Sequence, residues 1–280
     1  MKMLRLNSRY LISSFLVLLL SVIAFYSSNR TSLGSEPENY KEIIILGNWT
    51  ENKLNHLLNQ SSGITDTGER IDLLSKQFLG ADYRESTLIG DAGTPEVFVV
   101  NLEGMDCFTY IDYVEALRLS DSFTEFKENL KHVRYQSGKV AFQNRNHFFT
   151  DWPEFNGGNV TDVTEEVGRE KVKTIVKVLN KKGDGTYFLP GIPVKQREIK
   201  YIPSSNIDDE LLRRLKTGDY VGIYSDIQGL DVSHTGIIVK KGDKVYLRHA
   251  SSREANRKVV DEDLITYMSN KPGLVVFRPK

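Results

Sequence analysis

The last third of the chain constrains the fold most. GDYVGIY (218–224), HTGIIVKK (234–241), KVYLRHAS (244–251) and GLVVFRP (273–279) are short apolar and β-branched runs separated by turn residues. They read as an antiparallel sheet, with a helix over about 260–269 ahead of the last run. Upstream the periodicity is helical. Residues 40–60 mix apolar and charged positions and predict a helix ending near Asn59. Over 61–80, Ile71, Leu74 and Phe78 fall at helical spacing, with Leu73 and Leu79 widening the stripe. Thr65 or Thr67 is placed to cap that helix, and Gly80 to stop it. EVFVVNL (96–102) predicts a short strand, and helices are expected over about 106–119, 122–134 and 208–215. Helices first and an antiparallel sheet afterwards define an α+β class.

The stretch 144–163, NRNHFFTDWPEFNGGNVTDV, is aromatic and polar and reads as a long loop of the kind that binds something. It opens an insertion of about 140–200 whose remainder, 164–200, is strand-rich or irregular. At the N-terminus, Lys2, Arg5 and Arg9 precede LISSFLVLLLSVIAF, and no charge occurs from Tyr10 to Asn29. This pattern predicts a signal peptide, cleaved after Ala24, or an uncleaved membrane anchor over 1–29. A polar linker, 30–39, leads into one catalytic domain over 40–280. The expected location is outside the cytoplasm, in the periplasm or cell envelope. Lys+Arg and Asp+Glu total 37 each, and that balance argues against a nucleic-acid partner. A monomer is expected.

The chain holds one cysteine, Cys107. Exported proteins usually pair their cysteines, so a lone thiol is either a small buried hydrophobe or a reactive group. Cys107 begins an apolar helix whose stripe is Phe108, Ile111, Val114 and Leu117, and Asp106 stands as its N-cap. A helix N-terminus lowers a thiol's pKa, and its free N–H groups can hold a developing oxyanion. A base is still needed. His234 and His249 lie on successive strands joined around KKGD. With Lys241 and Gly242 as a two-residue loop, paired residue numbers sum to 483, which sets the two histidines directly opposite on one face. An odd loop length would send the rings to opposite faces. A zinc site made of these three residues is disfavoured, because close-spaced ligand pairs are absent; neither metal nor cofactor is expected.

Cys107 at a helix start, His234 on one strand and His249 on the next resemble the NlpC/P60 superfamily of papain-like cysteine peptidases. More closely, FLGADYRESTLIG (78–90), VVNLEGMDCFTYIDYVEAL (99–117), NRNHFFTDW (144–152), GLDVSHTGIIVKK (229–241), YLRHASS (246–252) and VVFRP (275–279) are similar to the branch labelled DUF1460, N-acetylmuramoyl-L-alanine amidase-like. The resemblance implies a papain-like fold, with the nucleophile helix packed on the C-terminal sheet. It implies Cys107 as nucleophile, His234 as general base and acid, and His249 as the orienting third member. Tyr83 matches a tyrosine near the thiol, although Asp82 stands where a proline is usual. His147 and Trp152 match the branch's own loop motif, with a substrate-cleft role or a packing role open. The implied substrate is a peptidoglycan peptide or muropeptide. The bond would be lactyl–L-alanine (amidase) or γ-D-glutamyl–diamino acid (endopeptidase), and a non-catalytic wall-binding module on the same fold is the contrasting reading.

Overall fold

The computed structural model describes residues 40–280. The expected leader and linker over 1–39 lie outside the described residues. Among the described residues no helix is long and apolar enough to cross a membrane.

The helical half contains α1 (Glu51–Ser62), α2 (Thr67–Lys76), α3 (Cys107–Arg118) and α4 (Phe123–Arg134). Two short parallel pairs accompany it: β1 (Lys41–Ile45) with β3 (Val97–Asn101), and β2 (Asp82–Tyr83) with β4 (Gly104–Met105). The helix predicted over 40–60 is therefore corrected. The β-branched run Ile43–Ile45 forms a strand against β3, and the helix starts only after Thr50, whose hydroxyl accepts from Lys53 N–H. In α2 the cap is Asp66 rather than Thr65 or Thr67; its carboxylate accepts from Glu69 N–H at 2.8 Å. Gly80 follows as expected of a stop, with φ +85°, a left-handed conformation that suits glycine.

The sheet half is an eight-stranded antiparallel sheet. Its order is β11 (Val259–Asp263), β10 (Lys244–Ala250), β9 (Val232–Lys241), β8 (Tyr220–Tyr224), β12 (Gly273–Pro279), β7 (Lys195–Pro203) and β6 (Lys173–Leu179), with β5 (Val160–Asp162) also on β12. The 144–163 stretch, read as a loop, carries the short helix α5 (Asp151–Phe155) and β5, and the 164–200 stretch is the short helix α6 (Thr164–Gly168) followed by the β6–β7 hairpin that extends the sheet. The helix predicted over 260–269 is corrected as well: β11 comes first and α8 spans only Leu264–Met268, while α7 covers Asp209–Arg214.

Helices cover both faces of the sheet. Leu58, Ile71, Leu74, Tyr110, Val114 and Phe126 pack with Tyr220 and Ile237 on one face. Val167, Leu211, Leu264, Val221, Ile223 and Ile238 form a second core on the other. Burial on both faces explains why β8 and β9 read as nearly unbroken apolar runs rather than alternating ones.

Candidate active site

The site is built at the start of α3. Asp106 is extended (φ −86°, ψ 179°), and its Oδ1 accepts from the N–H groups of Phe108 at 3.0 Å and Thr109 at 2.7 Å. The Thr109 hydroxyl accepts from Asp106 N–H at 3.0 Å, completing a capping box. The cap thus occupies two first-turn donors that the sequence suggested for an oxyanion. Cys107's own N–H lies against its sulfur instead.

Cys107 is partly exposed, but its sulfur is tightly surrounded. Burial, with the Asp106 carboxylate second, pushes the thiol up to about 11; the Thr235 N–H and hydroxyl act the other way. The expectation that the helix start would lower this pKa is corrected, because burial and the Asp106 carboxylate outweigh the hydrogen bonds that favour the thiolate. The Thr235 hydroxyl also donates to the Cys107 carbonyl at 2.8 Å. That bond fastens the first turn of α3 to the residue that follows His234.

The two histidines meet as hydrogen-bonded rings: His234 Nε2 and His249 Nδ1 are 2.6 Å apart, with the rings nearly perpendicular. The expected register is off by one pair. Lys241 pairs with Lys244 across a Gly242–Asp243 loop, so paired numbers sum to 485, as in Arg248 with Ile237. His249 therefore stands diagonal to His234, two residues along. A slip that changes the sum by two keeps both rings on one face, which is why the constellation survives. Gly236 makes the diagonal approach possible; a Cβ there would sit 3.0 Å from His249 Cβ and 2.9 Å from Arg248 O.

Burial pushes His234 down to about 4, helped by Lys271 and Arg253, and His249 down to about 3, helped by His234 and Arg253. Both rings are neutral at neutral pH. Tyr267 flanks them, 5.0 Å from His249 and 6.1 Å from His234 between ring centroids. Arg253 and Lys271 lie over the Tyr267 ring at 4.8 and 5.4 Å. Behind His249, Nε2 is 3.1 Å from Glu262 Oε1, and Arg253 donates to Glu262 Oε2 at 2.7 Å. Sequence reading missed Glu262, Tyr267 and Thr235. Glu262 lay in a stretch read as helix, and only its strand register puts it beside His249.

Tyr83 reaches the site because it pairs with Met105, two residues before Cys107. Burial and then the nearby Cys107 raise its pKa, and Arg257 lies over its ring at 5.2 Å. His147 and Trp152 are placed for packing. His147 Nε2 bonds to Phe142 O at 2.8 Å and its ring meets Phe142 edge-on. Trp152 is 1% exposed, packed between Phe108, Phe149 and Tyr220. A substrate-contact role for Trp152 is corrected on that ground: it has no open face. Its loop instead ties down the strand that carries His234, since Thr150 N–H and Oγ1 both donate to buried Asp231 Oδ2, at 2.8 and 2.9 Å, just before β9. Among the described residues, no group of three or more His, Cys, Asp and Glu is arranged to hold a metal ion.

The chain belongs to the N-acetylmuramoyl-L-alanine amidase-like family, described as AmiA-like, whose profile matches residues 73–274. That span holds Tyr83, Cys107, His234, His249 and Glu262. Solved structures similar to it include the following two. Protein LPG0564 of Legionella pneumophila, a DUF1460 protein, is 25% identical with a TM-score of 0.69, over 82% of this chain and 94% of that one. An N-acetylmuramoyl-L-alanine amidase of Bacteroides uniformis is 28% identical with a TM-score of 0.66, over 76% of this chain and 99% of that one. No curated protein sequence matches the chain significantly.

Proposed function

We propose that the protein is a papain-like cysteine hydrolase of the NlpC/P60 type that cleaves an amide bond in peptidoglycan, with the lactyl–L-alanine bond as the first candidate. The observation that carries this reading is the 2.6 Å His234–His249 pair, fastened through Thr235 to the first turn of the cysteine helix. Family membership and the Bacteroides uniformis amidase supply the substrate class. The leader sequence supports an exported protein working at the cell envelope.

In this mechanism the Cys107 sulfur attacks the amide carbonyl as its proton passes to His234. The Cys107 N–H, freed from the sulfur as the sulfur bonds to carbon, and Tyr83 Oη are the two donors offered to the oxyanion. The tetrahedral adduct collapses, His234 returns the proton to the leaving nitrogen, and a thioester remains. Water then gives a proton to His234 and attacks the thioester, and the thiolate leaves and is reprotonated. His249 holds the His234 ring in place throughout.

The high thiol pKa favours a second reading, a wall-binding module that retains the cleft without turnover. The intact imidazole pair weighs against it, because a binding module has no use for a buried base. Muropeptides incubated with residues 30–280 and analysed by mass spectrometry separate the two. The hydrolase releases new fragments, and Cys107→Ala abolishes them while keeping the fold. Fragments released equally by Cys107→Ala would overturn the cysteine mechanism. The fragment masses distinguish amidase from endopeptidase cleavage.

A further inference from the structure

Glu262 lies on β11 opposite Leu247, one strand beyond His249. A carboxylate only accepts hydrogen bonds. Its Oε1, 3.1 Å from His249 Nε2, therefore requires the proton on that nitrogen. His249 Nδ1 is then a lone pair, and the 2.6 Å contact must be donated by His234 Nε2–H. His234 is left with its lone pair on Nδ1, the ring nitrogen without a hydrogen-bond partner among the described residues. We infer that Glu262 is a positioning residue: acting through His249, it fixes the tautomer of His234 and keeps Nδ1 unprotonated for the thiol. The catalytic consequence rests on the hydrolase reading; the tautomer does not.

A purely structural role for Glu262 is the competing account. Its ion pair with Arg253, however, joins a half-exposed arginine, and such pairs contribute little to stability. Both oxygens of Glu262 are also assigned: one to His249 and one to Arg253. The arginine holds the carboxylate from the solvent side and so aims the other oxygen at the ring. The charged and titratable groups facing the two rings are Glu262 itself at His249 Nε2, Arg253 and Lys271, which oppose their protonation, Asp261, which favours it at His249, and Tyr267, which packs against both.

The test reads tautomers directly. The full chain has five histidines, few enough for assigned two-bond 1H–15N spectra of labelled protein. In the wild type, His234 and His249 are both protonated on Nε2. In Glu262→Gln the amide oxygen accepts the same bond, so the tautomers persist. In Glu262→Ala, His234 becomes a mixture, and kcat on muropeptide falls on the order of tenfold to a hundredfold with KM little changed. Titration adds a readout that loss of folding would not mimic. Removing the carboxylate in Glu262→Gln moves the imidazole midpoint down, and removing the cation in Arg253→Gln moves it up. A wild-type His249 protonated on Nδ1 overturns the inference, as does Glu262→Ala with both tautomers and kcat intact, or titration shifts that do not oppose each other. Tautomers that respond as stated in a protein that cleaves no muropeptide would uphold the relay and remove the hydrolase reading. Cleavage by a wild type whose tautomers ignore Glu262 would do the reverse.

Discussion

Asp106 serves the helix and opposes the thiolate at the same time, and Asp106→Asn separates the two effects. Asn caps helices as well as Asp, so the bonds from Phe108 and Thr109 N–H can persist. Only the charge is lost. A thiol moved from 9.0 to about 11 is roughly 0.1% thiolate at pH 8, so wild-type Cys107 should alkylate about a hundredfold more slowly than the same thiol in denaturant. Burial is the larger cause and remains in the variant. The carboxylate is the second. A unit charge at contact distance is worth at least about 1 kcal/mol, the fully screened water limit. Its loss should raise the thiolate population about fivefold, and with it the iodoacetamide rate. The melting temperature should drop by no more than about 3 °C, the helix-dipole contribution of one first-turn charge. Pseudo-first-order alkylation from pH 6 to 11 measures both proteins. The reasoning fails if the wild-type inflection lies below pH 8, or if Asp106→Asn reacts no faster.

Two further outcomes follow from the packing. Gly236→Ala puts a Cβ 2.6 Å from Leu247 Cδ1, 2.9 Å from Arg248 O and 3.0 Å from His249 Cβ, so backbone must move. We expect about 1–3 kcal/mol of lost stability in urea titrations and up to about a hundredfold lower kcat as the histidine pair separates; unchanged kinetics would contradict the diagonal geometry. His147 is pushed down to about 4 by burial, against 6.5 in a free chain. Because its folded pKa is depressed, its contribution is present above about pH 6.5 and is lost as pH falls toward 4. His147→Gln should therefore lose about 1–2 kcal/mol less stability than wild type between pH 7.5 and 5.0, and identical losses would show that the ring is not buried as described.

The sequence made the thiol helix, its Asp106 cap and the pairing of His234 with His249 legible, because each rests on short-range rules: cap chemistry, helical stripe and strand parity. The numerical register came out one pair wrong, since the same KKGD segment can turn at Lys241–Gly242 or Gly242–Asp243. What mattered was parity, and both turns preserve it. The errors arose where tertiary pairing overrode local pattern. Tyr40–Leu46 reads as helix because the whole of 40–60 mixes apolar and charged positions, but Ile43–Ile45 found a parallel partner in β3, which no local signal marks. Glu262 was hidden for the same reason: only the pairing of β11 with β10 brings it behind His249. Trp152 was visible as a motif, but motif membership does not tell a cleft wall from a core.

The proposed chemistry must also account for a resting state with no ion pair. Burial disfavours thiolate and imidazolium when each forms alone, and the two displacements run in opposite directions for that one reason. Moving the proton from sulfur to His234 leaves the net charge of the site unchanged. The two new charges then attract in a poorly solvated setting, where their interaction is stronger than in water. Such a site would hold its proton on sulfur until a carbonyl arrives to take up the negative charge. A stable thiolate at neutral pH is thus not what this arrangement requires. What it requires is a His234 Nδ1 that is always unprotonated beforehand, and that condition places the burden on the hydrogen bonds behind the ring.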